Sequence, residues 1–193
     1  MIANSVEGNM DVREIVDSLL PYIENTDDKY KEKNQMALAG LLDNNADLRN
    51  LGSTLFGWSS AYHQTRLSDT QRSALTMAIV HYVKIGANEP KASSFFSVRM
   101  VANRAAEMPW NDQGFCDEFA VALNSIAGSV GGKGASMAAN ALRRLGRNRD
   151  LPDAISVSIE RGLRDLSDRK PHKQFSHSDE RARRAPGRAP QKP

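Results

Sequence analysis

The chain has 193 residues, 40% of them hydrophobic and 25% charged, with a formal net charge of +3 and a single cysteine, Cys116. A domain of this size buries about 70% of its unfolded surface and needs no metal or disulfide, while a lone cysteine points to a reducing compartment. The start, Met-Ile-Ala-Asn-Ser-Val-Glu-Gly, lacks the cationic and apolar regions of a secretory leader, and no apolar run approaches the roughly 20 residues that span a bilayer, so a cytoplasmic protein without a membrane is expected.

The first periodic segment runs from Met10 to Leu20, where Val12, Ile15, Val16 and Leu19 share one helix face; Pro21 ends or kinks it. Thr26, Asp27 and Asp28 then cap a second helix whose buried face would be Tyr30, Ala37, Leu38 and Leu41, broken by Asp43-Asn44-Asn45. In the third helix Leu48, Leu51, Leu55, Trp58 and Tyr62 form a continuous stripe. Gly52 and Gly57 interrupt it at a cost of about 1 kcal/mol each against alanine, which predicts close helix packing at both. Ser68-Asp69-Thr70-Gln71 reads as a capping box opening a helix that buries Leu75, Ala78, Ile79, Tyr82 and Val83 and stops at Gly86.

A fifth helix is expected from about Lys91 to Met108, with Phe95, Val98, Val101, Ala102 and Ala105 inward and Arg99 and Arg104 outward, ended by Pro109. A sixth starts near Asn111 or Asp112 and carries Phe115, Phe119, Leu123 and Ile126. Residues 128–134, rich in glycine, read as a hinge that no helix or strand would choose. Beyond it lie a helix from Ala135 to Leu145 and a last one from about Pro152 to Leu166, with Ile155, Ile159, Leu163 and Leu166 inward and i,i+4 pairs Glu160–Arg164 and Arg161–Asp165 outward. From Arg169 the chain holds four prolines, eight bases and a single large apolar residue, Phe175, a composition that predicts disorder. With no period-2 segment, the expectation is one all-α domain of about seven or eight helices over residues 10–168, followed by a disordered basic tail over 169–193.

Charge is polarised along the chain. Residues 1–50 hold ten acids and five bases, residues 51–130 six of each, residues 131–168 five acids and seven bases, and the tail two acids and eight bases. Such asymmetry points to a polyanion or an acidic protein surface as the partner of the C-terminal part.

Motifs for other chemistry fail on inspection. Gly131-Gly132-Lys133-Gly134 resembles a phosphate-binding P-loop only superficially, because Ala127 replaces the first glycine, Gly134 replaces the serine or threonine, and a helix precedes it where a strand should. Asp117 and Glu118 beside Cys116 would raise its thiol pKa rather than activate it. His63 and His81 have no i,i+3 or i,i+4 ligand partner, and His172 with His177 in the tail makes a poor metal site. Trp58 belongs to the core stripe, whereas Trp110 follows Pro109 in a loop where exposure is expected. No cofactor and no catalytic residue is indicated.

The basic cluster stands above this background. Between Gly131 and Arg149 lie Lys133, Arg143, Arg144, Arg147 and Arg149 and no acid. On a helix Asn140, Arg143, Arg144 and Arg147 share a face opposite Ala135, Ala138, Leu142 and Leu145. Arginine suits bidentate contact with phosphate. Together with Arg169, Lys170, Lys173, Arg181, Arg183, Arg184 and Arg188 of the tail, these residues form the candidate nucleic-acid-binding set. The leading expectation is a small accessory protein that contacts the phosphates of DNA or RNA largely without regard to sequence, its helical domain supplying shape and self-association. The alternative is a helical assembly module whose basic tail docks on an acidic protein surface, and an all-α enzyme built from scattered residues stands third. The plainest account of the same charges is a solvated helix face and a solubilising tail.

Overall fold

A computed structural model describes residues 10–42 and 47–168, and among these every regular element is helical. In order they are α1 (Val12–Glu24), α2 (Asp28–Leu42), α3 (Leu48–Trp58), α4 (Ala61–Gln64), α5 (Asp69–Gly86), α6 (Pro90–Asn103), a 3₁₀ turn (Ala105–Glu107), α7 (Gln113–Ser129), α8 (Lys133–Leu145) and α9 (Asp153–Ser167). The expected all-α domain is the fold.

Local chemistry sets the boundaries. The Ser68–Gln71 capping box is formed, with the Gln71 amide donating to Ser68 Oγ and the Ser68 amide to Gln71 Oε1, and Asp11 with Glu14 closes the same box on α1. Each satisfies two backbone N–H groups that the first helical turn leaves without partners. Pro21 neither ends nor abolishes α1: its ring faces solvent, and the helix continues for three residues so that Tyr22 and Ile23 join the core. The α3 stripe stops at Trp58, because the Ser59 hydroxyl turns back to the Phe56 carbonyl and Ser60 caps the separate turn α4. Tyr62 is therefore exposed rather than buried, as is Tyr30 in the first turn of α2.

At the centre lies α6, packed against α3, α5, α7 and α8, while α1 closes on α2 and α5 and α9 on α7 and α8. Its buried face mixes Val98, Met100 and Val101 with three serines: Ser93, Ser94 and Ser97 are buried, with Ser93 donating to the Gly86 carbonyl and Ser94 to that of Pro90. Small side chains let four neighbours approach, and hydrogen bonds to helix carbonyls offset the burial of two of the three hydroxyls. Phe95 is only half-buried on this helix.

Arg104 departs most sharply from expectation. The helix ends at Asn103, one turn before Pro109, and the turn carries the Arg104 guanidinium inward, where its side chain is 1% exposed. It donates to Gln64 Oε1, the Arg72 carbonyl and Thr76 Oγ1 and pairs with Glu107, so it joins α4, α5 and the 3₁₀ turn; its Nε has no partner among the described residues. Burial lowers its pKa and Glu107 opposes that shift. A buried arginine persists only when paired in this way.

The glycine-rich segment is mostly helical. Gly128 lies in α7 and Gly134 in α8, leaving Val130 to Gly132 as the connection, and only Gly132 takes a positive φ, 51°. Ser129 Oγ bonds the Pro90 carbonyl, fixing the end of α7 to the start of α6. Trp110 is half-buried rather than free, its Nε1 donating to the Ala105 carbonyl at 2.7 Å and its ring against Phe115 and Phe119. On α9, Leu163 is half-buried, and neither Glu160–Arg164 nor Arg161–Asp165 closes to an ion pair among the described residues.

Candidate functional site

Helix α8 sorts its two faces cleanly. Ala138, Leu142 and Leu145 are fully buried, while Asn140, Arg143 and Arg144 are exposed on the other side, as their spacing requires; Arg147, expected on the same face, lies past the end of the helix at Leu145 and is exposed there. Gly146 closes the helix and Arg149 follows on the loop toward α9, also exposed. Arg143 donates to Asn140 Oδ1 at 3.1 Å and Arg144 to Asn103 Oδ1 at 3.0 Å, both neutral acceptors. Among the described residues none of the four arginines makes an ion pair within 4.0 Å. Their charge is uncompensated by direct contact, and it sits where the partial negative charge of the α8 C-terminus favours cations. Lys133, at the opposite end of α8, is exposed about 15 Å away along the axis and does not join this group. Arg169, Lys170, Lys173, Arg181, Arg183, Arg184 and Arg188 lie outside the described residues.

A second site, absent from the sequence reading, opens between α1, α2, α3 and α4. It is a half-open cleft of about 700 Å³. Tyr22, Tyr30, Trp58, Tyr62 and His63 give it aromatic walls, with Tyr22 edge-on to both Trp58 and His63. The Tyr22 hydroxyl is hydrogen-bonded to His63 Nδ1. Burial raises the Tyr22 pKa and, with Arg66 nearby, lowers that of His63, so the pair is neutral at pH 7. The cations of the cleft are thus Arg66, whose guanidinium lies 4.3 Å over the Tyr62 ring, and Lys33; Asp27 is the one acid among its lining residues.

Two polar side chains in the cleft stand where apolar ones would be expected. Asn34 occupies the buried face of α2 with Ala37, Leu38 and Leu41, and Thr54 lies beside Leu51 and Leu55 on α3. Thr54 is 7% exposed and its hydroxyl has no partner among the described residues. Such residues on an otherwise apolar stripe were the available sequence signal, but the closing walls come from four separate elements that no local spacing links.

Cys116 is buried, its thiol 3.5 Å from the Trp110 carbonyl and its pKa raised by burial, Asp112 and Asp117. No group of three or more His, Cys, Asp or Glu side chains among the described residues is placed to hold a metal ion, and no helix there is long and apolar enough to cross a membrane. Comparison with models of known protein families, with curated proteins and with solved structures finds no match to this chain.

Proposed function

We propose that this protein binds nucleic acid through the C-terminal end of α8, by phosphate contacts that are largely independent of sequence. The supporting observation is the set of four exposed arginines, Arg143 and Arg144 on the last turn of α8 and Arg147 and Arg149 just beyond it, without acidic partners within 4.0 Å among the described residues. A guanidinium can contact a phosphate bidentately through its planar fork of donors. The eight bases after Asp168 extend the same charge along the chain. They raise the local concentration of a polyanion without adding readout of its sequence.

Phosphate binding releases condensed counterions, so affinity should fall with a log-log salt slope of about −0.7 to −0.9 per contact, and with about five contacts a fourfold rise in salt weakens binding roughly a hundredfold. Replacing Arg143, Arg144 and Arg147 by glutamine should weaken binding to all sequences alike and flatten that slope, since the buried face of α8 is untouched. Absence of measurable affinity for single- or double-stranded DNA or RNA at about 50 mM salt would rule the reading out.

The exposed acids of α1 and α2 favour a second reading. Glu14, Asp17, Glu24, Asp27, Asp28 and Glu32 are all exposed, and of these only Asp28 forms an ion pair among the described residues, with Lys31. On this reading α8 or the tail of one copy docks on that surface of another, and salt-sensitive self-association in the absence of nucleic acid is the expected result.

A further inference from the structure

We infer that the cleft between α1, α2, α3 and α4 binds a nucleobase joined to a phosphate, supplied either by a free nucleoside monophosphate or by an unpaired position in a single strand. The inference stands on the cleft alone and does not need the α8 arginines. Its volume of about 700 Å³ lies within the range of small-molecule sites. Three features of its lining narrow the occupant further.

The lining is aromatic, with the exposed rings of Tyr30 and Tyr62 offering surfaces against which a planar group stacks, while Tyr22 and Trp58 are themselves largely buried. Beside them Asn34 offers an amide with both donor and acceptor, and the Thr54 hydroxyl is buried with no partner among the described residues. A buried hydroxyl without a partner is costly, and a ligand edge that carries donors and acceptors relieves that cost. Arg66 and Lys33 among the lining residues outnumber Asp27 and suit an anionic substituent. A hydrocarbon would leave Asn34 and Thr54 unpaired, and inorganic phosphate would leave the aromatic walls unused. A base on a phosphate uses all three.

Gly57 adds a steric observation. It lines the cleft, and a Cβ built there meets nothing within 4 Å. A side chain added at this lining position starts in open space, so a larger residue here is the substitution chosen to block the site while preserving the fold.

The test is calorimetric titration of the full-length protein with AMP, CMP, GMP and UMP, with inorganic phosphate and the unphosphorylated nucleosides as controls, and with a short single-stranded oligonucleotide. At least one monophosphate should bind saturably, with a dissociation constant below about 1 mM, and more tightly than its nucleoside or phosphate. Thr54→Val and Arg66→Gln should each weaken that binding about fivefold to tenfold, and Gly57→Leu should abolish it with no loss of thermal stability. An oligonucleotide that binds no tighter than the monophosphate identifies the free nucleotide as occupant; one that binds more than about tenfold tighter, and is displaced from the cleft by monophosphate, identifies a base within a strand. Absence of saturable binding by all four monophosphates up to about 5 mM overturns the inference, as does binding that Gly57→Leu and Thr54→Val leave unchanged. The Arg143, Arg144 and Arg147 glutamine variant should retain monophosphate binding, so failure of the α8 interface and failure of the cleft are separate results.

Discussion

A methyl group added to Gly52 would meet the Tyr82 hydroxyl and place a Cβ 2.8 Å from Phe96 Cδ2 and 2.9 Å from its Cβ. The same Tyr82 hydroxyl donates to the Leu48 carbonyl at 2.8 Å, so the intrusion disturbs a buried hydrogen bond as well as packing. Gly52→Ala should therefore destabilise the fold by about 1–3 kcal/mol, whereas Gly57→Ala, opening onto the cleft, should stabilise it by about 0.4–1 kcal/mol through the unfolded chain. Thermal denaturation of the two variants checks both signs, at roughly 2–4 °C per kcal/mol for a domain of this size. Helix propensity alone treats these two glycines alike, and the expectation of close packing holds only at the first. Arg104 teaches the same lesson in reverse. Its side chain looks solvent-facing on an unbroken helix, but the helix ends one residue earlier and the acceptors that satisfy it come from Gln64, Arg72 and Thr76, far away in sequence.

At the scale of elements, the legible features were those whose cause is local. The 3.6-residue period of α5, α7 and α8 places Tyr82, Phe119 and Leu142 in the core as expected, and the Ser68–Gln71 box marks the start of α5 because both of its bonds close within four residues. Ser68→Ala should remove one of those bonds and cost about 1 kcal/mol, measured by chemical denaturation, with little change in the denaturant slope. Less legible were the ends governed by side chains turning back on the backbone: Ser59 stopping α3 and Ser129 tying α7 to α6. The cationic face of α8 was readable, since alternation of arginine with buried leucine is a one-helix pattern. The aromatic cleft was not, since its walls meet only after α1, α2, α3 and α4 have packed.

For the whole molecule, charge separates from structure. Within residues 10–42 and 47–168 there are eighteen bases and nineteen acids, so the helical body is close to neutral and the net positive charge resides in the segment after Asp168. The C-terminal core contacts are completed by α9, through Ile155, Ile159 and Leu166, before that segment begins. Truncation after Asp168 should thus leave the melting temperature nearly unchanged while lowering nucleic-acid affinity and its salt slope, an outcome that differential scanning calorimetry and binding titrations would test together. A fall of many degrees would show that residues 169–193 pack on the helical body.

The position of Cys116 makes the protein its own reporter of opening. The residue is 6% exposed, and its thiol lies against the Trp110 carbonyl and is disfavoured as a thiolate by burial and by two neighbouring aspartates. A thiol reagent can react only when the 108–112 loop and the first turn of α7 separate, so the labelling rate measures how often that event occurs. In native buffer, modification should be much slower than in denaturant, and it should accelerate with denaturant concentration well below the global midpoint if the loop opens by itself. Coincidence of labelling with global unfolding would instead place this end of α7 among the last parts of the fold to yield.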